Sequence, residues 1–194
     1  ENVSDASMND ASYNTVVGYA AGTDLTEGDS CVFIGSNAGG NITTADKNTL
    51  IGESAGYYNA TGDNNTYVGT SAGQGASGQS NSNNTAIGKN SLVSNWGGEQ
   101  NIAIGSDSMY SNTTGKYNAA SGYQSLYSNT TGGTNTALGF DALYSNTTAS
   151  DNTGLGSQAL WANTTGVSNT AVGRLALKVN TTGTDNAALG KSAL

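Results

Sequence analysis

Aliphatic residues return in this chain at a fixed step of 17 positions, each one residue ahead of a glycine, in a pattern that reads N-T-x-Φ-G. The glycines of the pattern are Gly18, Gly35, Gly52, Gly69, Gly88, Gly105, Gly122, Gly139, Gly156, Gly173 and Gly190. Every step is 17 except one of 19 between Gly69 and Gly88. Thr alternates with the aliphatic residue, a period of two that predicts a short strand. A second run after the glycine carries a small residue and then Gly or Leu, and an Asn-Thr-Thr-Gly stretch follows. A fixed short period means stacked copies of one element, none of which buries a core alone.

The pattern predicts an all-β parallel β-roll or β-solenoid of about eleven 17-residue coils, each with two strands and two bends. Coils pairing in parallel advance about 4.8 Å each, which makes a rod on the order of 50 Å long. Val17, Ile34, Ile51, Val68, Ile87, Ile104, Leu138, Leu155, Val172 and Leu189 read as the core stripe, interrupted by Ser121. A column of small residues runs from Ala21 through Ser108 to Ala193 and implies close backbone approach. The next position is Gly in the first four units and Leu or Met from Leu92 to Leu194. The chain therefore divides into a lead-in (1–13), four coils of the A-G subtype (14–80) and seven of the A/S-L subtype (81–194). Starting at Glu1 and stopping within a repeat at Leu194, it reads as a segment of a longer or processed protein.

Each coil offers three or four apolar side chains, worth roughly 1.5–3 kcal/mol apiece when fully buried, against ~1–2 kcal/mol of backbone entropy per residue. One coil falls short. Stacking and burial of a second face against other chains make up the difference, which points to an oligomer.

Composition changes the picture by exclusion. The chain has 28 glycines, no proline, no histidine and one cysteine. Without histidine, and with scattered carboxylates, no acid–base constellation emerges, so an enzyme is not expected, and neither is a cofactor. The strict period separates the chain from disordered Gly/Ser/Asn-rich sequences of similar composition. Cys31 takes the place that Asn holds in the other units and reads as a small residue tolerated in the stack. Residues 1–63 carry nine acidic side chains against Lys47 alone, and the remainder carries five of each sign. No basic footprint for nucleic acid results, nor a cluster that would seek anionic lipid. No stretch reaches the ~20 apolar residues of a membrane span.

The motif N-T-A-Φ-G-x-x-A/S-L, clearest from Asn101 to Leu194, resembles the head repeats of trimeric autotransporter adhesins, and its longer form is similar to segments of phage tail fibres and bacterial surface proteins. The resemblance covers about residues 14–194; the 17-residue unit is longer than the usual head repeat. It implies a left-handed parallel β-roll, three chains wound side by side as a homotrimer, and a fibrous extracellular location on a cell surface or virion. The function it implies is a structural or adhesive segment giving multivalent attachment to a cell-surface glycan or protein receptor.

Several columns are candidates for that contact. Tyr110, Tyr127, Tyr144 and Trp161 share one repeat position and read as an aromatic ladder whose flat faces meet sugar rings or pack against a neighbouring chain. Asn112, Asn129, Asn146, Asn163 and Asn180 each begin N-T-T, an acceptor pattern for glycosylation and also the composition of a tight, stacked loop. Asp29, Asp46 and Asp63 stack on one edge and are expected to splay into water rather than bind a metal. Two rival functions remain: a subunit of a self-assembling extracellular filament, glycosylated or not, and an ice-binding β-solenoid. The latter would use the loop rows that begin at Thr113 and Thr114 and end at Thr181 and Thr182.

Overall fold

The computed structural model describes residues 11–194, so residues 1–10 of the expected lead-in lie outside the described residues. Eleven three-residue strands follow one another: β1 (Thr15–Val17), β2 (Val32–Ile34), β3 (Thr49–Ile51), β4 (Thr66–Val68), β5 (Thr85–Ile87), β6 (Ile102–Ile104), β7 (Ala119–Ser121), β8 (Thr136–Leu138), β9 (Thr153–Leu155), β10 (Thr170–Val172) and β11 (Ala187–Leu189). They form one parallel sheet in sequence order, with Thr15 opposite Val32 and Thr170 opposite Ala187. The two extra residues of the long coil leave register intact, since Thr66 still pairs with Thr85. The chain is a parallel β-solenoid with one strand per coil.

Among the described residues the second expected strand of each coil is absent. In its place the backbone turns through left-handed residues, such as Asp141 (φ 52°) and Leu143 (φ 53°). Coil-to-coil hydrogen bonds nevertheless continue there, from Leu143 N to Ala159 O at 2.9 Å and from Ser145 N to Trp161 O at 3.1 Å. The corner glycine is dictated by sterics: Gly139 has φ 135°, and a Cβ there would lie 2.7 Å from the carbonyl carbon of Gly156 in the next coil.

The expected core stripe faces outward. In a three-residue strand, period-two alternation sends one residue in and two out. The middle residue is the inward one: Phe33, Leu50, Tyr67, Ala86, Ala103 and Ala137 have no exposed surface. The aliphatic residue before the glycine stands outside, with Val17 56%, Leu138 43% and Leu189 82% exposed. The small-residue column is buried as expected, from Ala21 to Ala176, with Ser91, Ser108 and Ser125 among it.

The two subtypes are two ways of filling the same core. In the early coils a large strand residue fills the coil, and the left-handed position opposite is Gly39, Gly56 or Gly73. From β5 onward the strand residue is mostly Ala, and Leu92, Met109, Leu126, Leu143 and Leu160 enter the core from that left-handed position, fully buried. A left-handed Leu costs roughly 1–2 kcal/mol, which the ~1.5–3 kcal/mol from burying its side chain offsets.

Two asparagine ladders complete the interior. Asn135 donates its backbone N–H and its side-chain Nδ2 to Oδ1 of Asn118, at 3.0 and 3.1 Å, and Nδ2 also reaches Ala149 O at 2.8 Å. The same scheme recurs along this strand-entry column. Cys31 substitutes in it: the buried thiol's Sγ accepts from Asn48 N at 3.4 Å and donates to Ala45 O at 3.3 Å, longer bonds than those of Asn135. The second ladder runs through the N-T-T asparagines. Its gap at the long coil is bridged by Asn81, whose N–H donates to Asn59 Oδ1 and whose Oδ1 accepts the hydroxyl of buried Tyr67.

Candidate binding surface

The N-T-T asparagines are interior side chains. Asn112, Asn129, Asn146 and Asn163 are fully buried, and Asn180 is half-buried. Nδ2 of Asn129 donates to Asn112 Oδ1 at 2.8 Å and to Gly132 O at 2.9 Å; Nδ2 of Asn146 and Asn163 makes the equivalent pair. In this fold both amide hydrogens are spent and a glycan has no room. The recurrence of N-T-T is the mark of a ladder, and this corrects the glycosylation expectation for the folded coil.

The first loop threonine row is committed to neighbouring coils. Thr113, Thr130, Thr147 and Thr164 each donate their hydroxyl to the carbonyl of the matching residue one coil on, at 3.0–3.1 Å. In the second row, Thr114, Thr131, Thr148 and Thr165 are exposed.

Asp29, Asp46 and Asp63 do not splay into water. Asp46 and Asp63 each accept a backbone N–H from the coil before: Asp29 N donates to Asp46 Oδ1, and Asp46 N to Asp63 Oδ1, both at 2.8 Å. Asp29 Oδ1 likewise accepts from Ser12 N at 2.6 Å. The column substitutes side chain for backbone in the ladder. Its later members include Glu99 and Lys116, which form a 3.0 Å ion pair worth about 0–1 kcal/mol at such exposure. Among the described residues no group of His, Cys, Asp or Glu is arranged to hold a metal ion, and no helix is long and apolar enough to cross a membrane.

The aromatic ladder is present, half-buried and closed on itself. Ring centroids of Tyr110 and Tyr127 are 5.1 Å apart, those of Tyr127 and Tyr144 5.2 Å, and those of Tyr144 and Trp161 6.0 Å, all stacked within 13°. Lys178 Nζ caps Trp161 at 5.7 Å from its ring centroid. The faces expected to meet sugar rings are therefore used on neighbouring rings, and the ladder shows solvent its edges. Partial burial, then the neighbouring phenols and Asp107, push the Tyr127 hydroxyl above its ordinary pKa.

A second aromatic feature lies immediately after the corner glycine. Tyr123 and Phe140 stack at 5.7 Å and 17°, and they are 46% and 50% exposed. The signal was available: two rings stand 17 apart, each directly following a corner glycine. Beside them runs a row at the next position, Asp107, Gln124, Asp141 and Gln158, in which Gln158 Nε2 reaches Asp141 Oδ2 at 3.4 Å. Asp141 Oδ1 is shielded from water and is the buried side-chain polar atom left without a hydrogen-bond partner among the described residues.

An apolar band runs along the outward sheet face. Ile34, Ile87, Ile104 and Leu138 are each 37–43% exposed along one column, and Ile102 adds to it at 47%. No protein-family model, curated protein or solved structure matches the chain.

Proposed function

We propose that this chain is a noncatalytic segment of an extracellular fibre, in which three copies pack side by side through their sheet faces and attach the fibre multivalently to a surface receptor. The observation that carries the reading is the outward aliphatic column, running from Val17 to Leu189 along the solenoid. An apolar band of this length, broken only at Ser121, is uncommon on a protein that stays alone in water. Its repeat is one side chain per coil, so a partner that matches it at every step needs the same coil spacing, and another copy of this chain has it. The likeness of N-T-A-Φ-G to the head repeats of trimeric autotransporter adhesins supports three chains and a setting outside the cell. A rod of identical coils gives weak contacts that add through avidity.

The test is a variant with Ile87, Ile104 and Leu138 all changed to Ser. These side chains stand outside the core, so the coil should fold, with its circular dichroism unchanged, and sedimentation should show it as a single chain. A variant that sediments like the parent rules out assembly through this face.

A further inference from the structure

We propose that the corner slot between Phe140 and Arg174, floored by Ser157 and Gln158, holds a carboxylated pyranose, a sugar of the sialic or uronic acid class.

Phe140 uses one ring face on Tyr123. On its other side the corner column continues with Ser157, too small to cover the ring, and then with Arg174, which is exposed. Phe140 and Arg174 stand two coils apart, about 10 Å at the strand spacing of a parallel sheet. That gap takes one sugar ring, with its apolar C–H face on Phe140 and the guanidinium on the opposite side.

The polar groups fit the same occupant. Beside the floor residue Gln158, Asp141 Oδ2 is the carboxylate oxygen placed to accept from a sugar hydroxyl, since Oδ1 is shielded from water. Gln158 already contacts Asp141 Oδ2 and offers an amide to a second hydroxyl. Among the described residues Arg174 forms no ion pair, although the chain carries a net charge of −8. Lys178 in the same coil lies over Trp161 and is engaged in the aromatic ladder. A planar guanidinium binds a carboxylate through two parallel hydrogen bonds. The slot thus pairs a carboxylate that accepts from a hydroxyl at one end with a guanidinium that binds an anion at the other, and a carboxylated sugar carries both. A phosphate diester lacks hydroxyl donors for Asp141 and would be repelled by it.

The inference depends on the attachment reading for its biological setting, although binding itself needs one chain only. The experiment is saturation-transfer NMR and shift titration of the full chain with three probes: sialyllactose, methyl β-glucuronide and lactose. Transfer is expected to the ring protons of sialic acid and of the glucuronide, with little to lactose. Phe140→Ala and Arg174→Gln should each weaken binding at least tenfold, and Trp96→Ala, an exposed aromatic away from the slot, should leave it unchanged. Both slot residues are exposed, and matching melting curves verify that the variants fold. No transfer from either acidic sugar, equal transfer to lactose, or full binding by Phe140→Ala overturns the proposal. Light scattering on the same samples separates the two readings: a single chain that binds the sugar removes the fibre, and an assembly that does not bind removes the slot.

Discussion

Leu50 occupies the space that a side chain on Gly56 would need, six residues later in the same coil: a Cβ built on Gly56 would lie 2.7 and 2.8 Å from the two Leu50 methyl carbons. Later coils solve the same problem in reverse, with Ala137 on the strand and Leu143 entering from the left-handed position. Strand residue and turn residue are thus a coupled pair with one volume between them. Leu50→Ala should cost ~2–5 kcal/mol, and Gly56→Leu should also destabilise through overlap. The double variant converts the coil to the later type and should be more stable than the sum of its parts by ~1–3 kcal/mol. Urea melts of the four proteins give that coupling directly; simple additivity would show that the two sites do not share a cavity.

Interrupting an asparagine ladder should cost more than its size suggests. Asn118→Ala removes the acceptor for both Asn135 N and Asn135 Nδ2, leaving the buried Asn135 N–H unpaired at ~1–3 kcal/mol, while Gly132 O keeps its bond from Asn129 Nδ2. Thr114→Ala, in the loop before it and exposed, should stay within ~0.5 kcal/mol of the parent. Denaturant midpoints for the pair separate ladder from surface.

The corner glycine, the parallel coils, the small-residue column and the break at the long coil were all legible in the sequence, because each is forced by backbone sterics that recur every 17 residues. The direction of the strand was not. The aliphatic position before the corner glycine looks like core when read by hydropathy, yet Leu138 is outside and Ala137 is inside. Hydropathy ranks Leu over Ala without knowing that Leu143 supplies the interior volume from the turn. The N-T-T asparagines were misleading for a related reason: a buried amide and a surface acceptor share one composition, and only the bonds from Asn129 to Asn112 and Gly132 tell them apart. At the surface, the ladder of Tyr110 to Trp161 was legible as a column. Its closure by stacking depends on ring orientation, which spacing does not encode, whereas the pair Tyr123 and Phe140 stood in the spacing as two rings 17 apart after corner glycines.

Tyr67 makes stability sensitive to alkali. Burial pushes its hydroxyl well above the ordinary tyrosine range, so the folded chain keeps the proton where the unfolded chain loses it. The stabilisation is whole below the unfolded pKa of about 10 and declines as pH rises beyond it, by up to ~1.4 kcal/mol per pH unit. Tyr67→Phe gives up two hydrogen bonds, to Asn65 and Asn81, and should be ~1–2 kcal/mol less stable at pH ~8. Urea midpoints between pH ~8 and ~11 should converge for parent and variant; parallel curves would mean the phenol titrates alike in both states.

Cys31 is the weak rung of the strand-entry ladder. Burial raises its thiol pKa, so a thiol reagent should react with it only after unfolding. Cys31→Asn would let Oδ1 replace Sγ as acceptor for Asn48 N and should stabilise the chain by about 1 kcal/mol. A lower melting temperature for that variant would show that the column does not favour Asn at this coil.

Light scattering of the purified protein decides whether the outward aliphatic column meets other copies of the chain. The expected result is a particle with three times the mass of the chain, unchanged over a tenfold dilution. A particle of one chain mass at every concentration would contradict it, and the exposed sheet face from Val17 to Leu189 would then be a surface the protein shows to water.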